Sequence, residues 1–248
     1  MPPDEFARTG LSIYRAGGTP TRFQVLGERS SGTNFVKRLL GRNSNLTPVE
    51  TLGWKHGPPS ALAIPEDLAV ICVVRNATDW ALSMHAKPWH CTPEMQHLPF
   101  SDFIRAEWQS IVDRPRYFPE AAASGGLGRP LQADRDPQTG GVYDNLFALR
   151  RGKFNGLLSY LQRRCTCVLL RMEQAQSDPE SMLDRILGDL GLPPRTGPVR
   201  PVHKRLGAKF KPSVPNRPPS PAAIGADDRA FMISQLDMET EAALGYRY

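Results

Sequence analysis

The 248-residue chain has no apolar run long enough to cross a bilayer. Its longest, Leu68 to Val74, has seven residues, against the roughly 20 that a spanning helix needs. The first residues, MPPDEFARTG, contain no apolar segment of the secretory kind. A cytoplasmic protein without stable membrane insertion is therefore expected. Cysteine is scarce: there are four, none in a CxxC pair. Cys72, Cys165 and Cys167 fall in apolar, strand-like runs, so reduced packing thiols are expected. His85, His90 and His97 are not joined by cysteines at zinc-site spacing, and no metal is expected. Acid is missing from one stretch, Leu190 to Ala226, which carries seven positive charges against a formal excess of +6 for the whole chain. A Pro-rich basic stretch reads as a solvated linker or tail, or as a segment that closes over a phosphate-bearing ligand. It has little aromatic interleaving, which argues against nucleic acid as the partner.

What is present alternates between strand-like and helix-like patterns. RFQVLGE (22–28) reads as a short buried strand, and Phe35, Val36, Leu39 and Leu40 fit one face of a helix that Gly41 stops. A second strand is expected to end in TLGWKHG (51–57), and LAVICVV (68–74) reads as a central parallel strand. Helices are expected at 76–85, 100–112, 143–163 and 178–191, the last capped by Asp178 with Pro179 at its first position. A strand is expected at 165–172, and a long surface loop at 114–141. Alternation of this kind implies an open parallel sheet with helices on both faces. We read one domain over 1–248, with a core at about 22–192, the basic segment at 193–226 and a C-terminal helix at about 227–244.

Between the first strand and the first helix, Gly27 to Asn34 has the G-x-x-x-x-G spacing of a phosphate loop. Backbone N–H groups and a helix N-terminus converge on a phosphate in such a turn, and the Ser31 and Thr33 hydroxyls are candidate donors. After the second glycine stands Thr33-Asn34, so the lysine and magnesium-binding hydroxyl of nucleoside triphosphatases are missing. A ligand that needs a cradled 5'-phosphate and no metal fits this loop better than ATP.

These residues carry a resemblance. Ser31-Gly32-Thr33-Asn34-Phe35 resembles the S-G-T-[TN]-[WF] turn of the 3'-phosphoadenosine 5'-phosphosulfate-dependent sulfotransferases, and three further segments follow in the family's order. Trp54-Lys55-His56-Gly57-Pro58 resembles the family's K-x-H-x-P segment, whose histidine is the general base. The run from Arg75 to Ser83 resembles its R-N-[PA]-x-D-x-x-x-S signature, whose arginine and serine bind the 3'-phosphate. Leu169 to Glu173 with Ser177 to Glu180 resembles a supporting strand and helix, in which Arg171 and Glu173 are read as structural.

The resemblance implies a three-layer α/β/α domain with a central parallel sheet, the P-loop NTPase-like sulfotransferase fold. It also implies a sulfuryl transfer from 3'-phosphoadenosine 5'-phosphosulfate, without metal, to a hydroxyl or amine on a small-molecule or carbohydrate acceptor. The expected catalytic residues are His56, Lys55 and Arg29. Ser30 stands where many members have lysine, so the missing charge is sought first in Arg29, then in Lys55, with Lys37 also considered. The expected nucleotide contacts are Arg29, Ser30, Ser31, Gly32, Thr33, Asn34, Arg75 and Ser83, with Lys204 and Arg205 from the basic segment. Two other readings stay open: a P-loop-type nucleotide-binding kinase, and a catalytically degenerate nucleotide-binding protein.

Overall fold

The seven residues Leu68–Val74 are all buried and form the middle strand of a five-stranded sheet in a computed structural model that describes residues 2, 4–203 and 209–248. The strands are β1 (Leu11–Tyr14), β2 (Arg22–Gly27), β3 (Thr47–Pro48), β4 (Leu68–Val74) and β5 (Cys167–Arg171). Their order is β1-β5-β4-β2-β3. Four strands run parallel, and β1 pairs antiparallel with β5. The class is α/β, but the sheet is mixed where a purely parallel one was expected.

Alternation along β4 feeds two apolar clusters. Ala69, Ile71 and Val73 join Val36, Leu39 and Leu40 of the helix Thr33–Asn43 and Met182, Leu183 and Ile186 of the helix Pro179–Asp189. Leu68, Val70, Cys72 and Val74 join Phe6, Phe154, Leu157 and Leu244. Full burial of each Val, Leu, Ile, Phe or Met side chain among these contributes about 1.5–3 kcal/mol, so covering both faces fixes the strand's place in the sheet. At the opposite end from the loop, Arg22 donates to Asp67 through Nε (2.9 Å) and Nη2 (2.5 Å), joining the start of β2 to the residue before β4.

By contacts the described residues divide into two compact units. The first comprises 2, 4–76, 153–203 and 237–248, and includes the whole sheet. The second comprises 77–152 and 209–236 and is built on helices, among them Ala77–Ala86, Phe100–Arg105 and Ala226–Gln235. Among its buried residues are Trp80, Phe103, Trp108 and Phe147. None of the described helices is long and apolar enough to cross a membrane. All four cysteines are buried thiols, with Cys72 and Cys167 Sγ 3.9 Å apart.

Several boundaries differ from expectation, each for a local reason. The helix after β2 runs past Gly41 to Asn43, because the Asn43 and Ser44 side chains donate to the carbonyls of Leu39 and Leu40 and close its last turn. No strand forms at 51–57, where the chain makes a turn; the second parallel strand is the two-residue β3. The helix expected at 100–112 stops at Arg105, since Trp108, Ser110 and Val112 are buried at a period of two. Buried Asp134 accepts from Trp108 Nε1 and Ser110 Oγ, holding that stretch extended. Within 114–141 lie a helix, Pro119–Ala123, and a 3-10 turn, Gln132–Asp134. The helix expected at 143–163 is Leu146–Leu158, followed by a 3-10 turn. The C-terminal helix breaks at Leu236, and Asp237 caps a separate helix, Met238–Ala243.

The basic segment is anchored over much of its described length. Arg195 lies between Asp184 and Glu180, and Asn43 exchanges two hydrogen bonds with the Arg200 backbone. Within the second unit, Arg217 donates to the carbonyls of His85, Ala86 and Gln96.

Candidate functional site

Strands β2 and β4 are adjacent and parallel, with β3 beyond β2 on one side and β5 beyond β4 on the other. The chain order therefore reverses between β2 and β4, and open α/β sheets bind ligands at the carboxyl ends of strands at such a point. Gly27 at the end of β2 pairs in register with Val73. The loop 27–34 leaves from one strand end, and Arg75 follows the other.

Close approach explains the first glycine. A Cβ on Gly27 would stand 2.5 Å from the Val73 carbonyl oxygen, so only glycine lets the loop turn against β4. Ser30 has φ 64°, a left-handed conformation that non-glycine residues adopt uncommonly and that is found at ligand-binding turns. Its carbonyl accepts from Arg75 Nη1 at 2.9 Å, which lays the guanidinium along the loop. Buried Ser31 directs its hydroxyl to the Glu28 carbonyl at 2.7 Å, an internal tie. Gly32, at φ 90°, is the N-cap of the helix Thr33–Asn43; no side chain caps that end and its first turn holds no acidic residue. The helix dipole and first-turn N–H groups thus present positive potential at the loop. Thr33 is buried at the first helical position, and Asn34 Oδ1 accepts from Lys55 Nζ at 2.6 Å.

The turn that carries His56 is sewn to this loop. The Gly27 N–H donates to the Lys55 carbonyl at 3.0 Å, and the Gly57 N–H closes the turn on the Trp54 carbonyl at 2.8 Å. His56 Nδ1 lies 2.6 Å from the Gly27 carbonyl oxygen. A carbonyl only accepts, so Nδ1 carries the hydrogen and Nε2 holds the lone pair of the neutral ring. Desolvation, then Lys55, Arg29 and Lys153, hold the His56 pKa well below the ordinary 6.5, against the Gly27 hydrogen bond, which favours the protonated form. The ring is therefore neutral at pH 7, with its lone pair on Nε2.

Cations surround the turn. Arg29 Cζ and Lys153 Nζ lie 5.8 and 5.7 Å from the centre of the Trp54 ring, whose plane meets His56 edge-on at 5.3 Å. Lys153 also donates to the His56 carbonyl at 2.8 Å. Desolvation lowers the Lys55 pKa, as nearby Lys37 also does, against the pull of Glu50. Lys37 itself is paired with Glu50 at 2.7 Å.

Of the residues singled out from sequence, the first unit brings Arg29, Ser30, Ser31, Gly32, Thr33, Asn34, Lys55, His56 and Arg75 together on the loop and the turn beside it. Lys55 sits in a turn, so strand alternation does not govern its direction. Ser83 lies half-buried on the helix Ala77–Ala86 of the second unit. Lys204 and Arg205 lie outside the described residues. Glu173 is structural: its carboxylate accepts from the Asn76 N–H (2.8 Å) and the Tyr246 hydroxyl (3.1 Å), steadying the residue after Arg75. Arg171 donates to the Gly245 carbonyl. Sequence reasoning missed Trp54 and Lys153. Trp54 stood inside the quoted segment, whereas Lys153 sits in RRGKFNG, where nothing distinguishes it from a solvated helix lysine. No family model matches the chain, and no curated protein matches it.

Proposed function

We propose that this protein is a 3'-phosphoadenosine 5'-phosphosulfate-dependent sulfotransferase with the three-layer, P-loop-like fold of that family, acting on a hydroxyl or amine acceptor. One observation carries the reading: a neutral histidine with its Nδ1–H fixed on the Gly27 carbonyl, beside a phosphate-loop-like turn and an arginine at the next strand end. The residues suit a donor with a cradled 5'-phosphate. The helix end at Gly32 has no side-chain cap, and positive groups gather at the loop without the lysine that a γ-phosphate needs.

The donor supplies the sulfuryl group, and the chain's residues do the rest. His56 Nε2 takes the acceptor's proton as the acceptor oxygen or nitrogen bonds to sulfur. The bond from sulfur to the phosphate oxygen breaks, and the charge left on adenosine 3',5'-diphosphate falls to the helix end, Arg29 and Lys55. Arg75 offers its fork to the 3'-phosphate. Titration calorimetry tests the reading: adenosine 3',5'-diphosphate should bind without magnesium and more tightly than ATP with magnesium. Preference for ATP with magnesium would favour a kinase, and absence of binding to either would remove the donor site.

A further inference from the structure

The turn 54–59 has no secondary structure of its own and is held from two sides. On one side are the loop contacts of Gly27 and Asn34. On the other is the helix Leu146–Leu158, which reaches the turn at two points one helical turn apart. Lys153 donates to the His56 carbonyl and lies against the Trp54 ring. At Gly156 the helix admits Pro59 so closely that a Cβ would stand 2.9 Å from Pro59 Cδ. An ammonium held on both the aromatic face and the carbonyl of one three-residue turn fixes the peptide from which the imidazole projects.

We infer that Lys153 is the positioning residue of the proton-transfer histidine, holding the 54–56 turn so that His56 keeps its Nδ1–H on the Gly27 carbonyl and Nε2 as the base. The inference rests on the sulfotransferase reading for the reaction served, and on the hydrogen bonds alone for the placement. Three cations act on the imidazole: Lys55 from its own turn, Arg29 from the loop and Lys153 from the helix. The Glu50 carboxylate is engaged by Lys37. Removing the Lys153 charge therefore weakens the bias toward the neutral ring while it loosens the turn. Arginine, with the same charge and a similar reach, retains both effects.

The test is a pH titration of the His56 ring by nitrogen and proton NMR in the wild type, Lys153→Met, Lys153→Gln and Lys153→Arg. It is paired with kcat, KM and affinity for adenosine 3',5'-diphosphate. In the methionine and glutamine variants the His56 midpoint should rise, kcat should fall about tenfold, nucleotide affinity should stay within about twofold, and arginine should restore kcat. An unchanged midpoint in both variants overturns the inference, as does a shifted midpoint with unaltered kcat. Nucleotide affinity separates the two claims: a wild type that binds no adenosine 3',5'-diphosphate defeats the functional reading, while the ring titration still decides whether Lys153 holds His56.

Discussion

The loop after β2 closes on itself from Ser31 to Glu28 and meets Val73 and Arg75 across the neighbouring strand end, whereas the turn carrying His56 is held by partners up to 97 positions away. Gly27, Ser30 and Gly32 sit in conformations set by a strand end and a helix start, and Ser31 ties back only three residues. The turn at 54–57 closes a hydrogen bond of its own and takes others from Gly27, Asn34 and Lys153. A loop of this kind is damaged through its backbone, and a borrowed turn through its distant partners.

The largest expected effect breaks the loop. Gly27→Ala puts a Cβ against the Val73 carbonyl, and backbone must move to make room; a loss of about 2–3 kcal/mol is expected in urea unfolding. The turn should answer differently. His56→Ala should lower kcat by about 100-fold or more while leaving stability and nucleotide affinity nearly intact; full activity in that variant would exclude His56 as the base.

Asn43→Ala removes the side chain that closes the loop helix and exchanges hydrogen bonds with Arg200. It should cost about 1–2 kcal/mol of stability by the same unfolding measurement. The smallest effect is a pH dependence. The unfolded chain protonates His56 near 6.5 and the folded chain only at lower pH, so stability should decline as pH falls below 6.5. His56→Gln should flatten that decline. A separate loss is expected at lower pH from Asp67, whose folded pKa is about 2 against an ordinary 3.8.

The same contrast explains what could be read from sequence. β4 was legible to the residue, because seven consecutive apolar side chains suit only a strand buried on both faces. Asp178 with Pro179 announced a helix start, and Asp178 accepts from the Ser181 N–H. The placement of Gly27 at the end of one strand and of Arg75 just after another was legible, because a glycine turn between a strand and a helix and the end of an apolar run are local patterns. β1 was not, since four residues on an antiparallel edge carry little periodicity. The 54–57 turn was taken for a strand end, although its shape comes from long-range hydrogen bonds. Lys153 was invisible for the same reason: its role depends on a contact that chain position does not reveal.

We propose that Arg75, which follows β4, reads a 3'-phosphate beside the loop. Its most direct test is calorimetric titration of the wild type and Arg75→Ala with adenosine 3',5'-diphosphate and with adenosine 5'-monophosphate. The wild type should prefer the diphosphate, and Arg75→Ala should lose about 1.5–3 kcal/mol toward the diphosphate and little toward the monophosphate. Equal losses toward both ligands, or no preference in the wild type, would remove Arg75 from the 3'-phosphate.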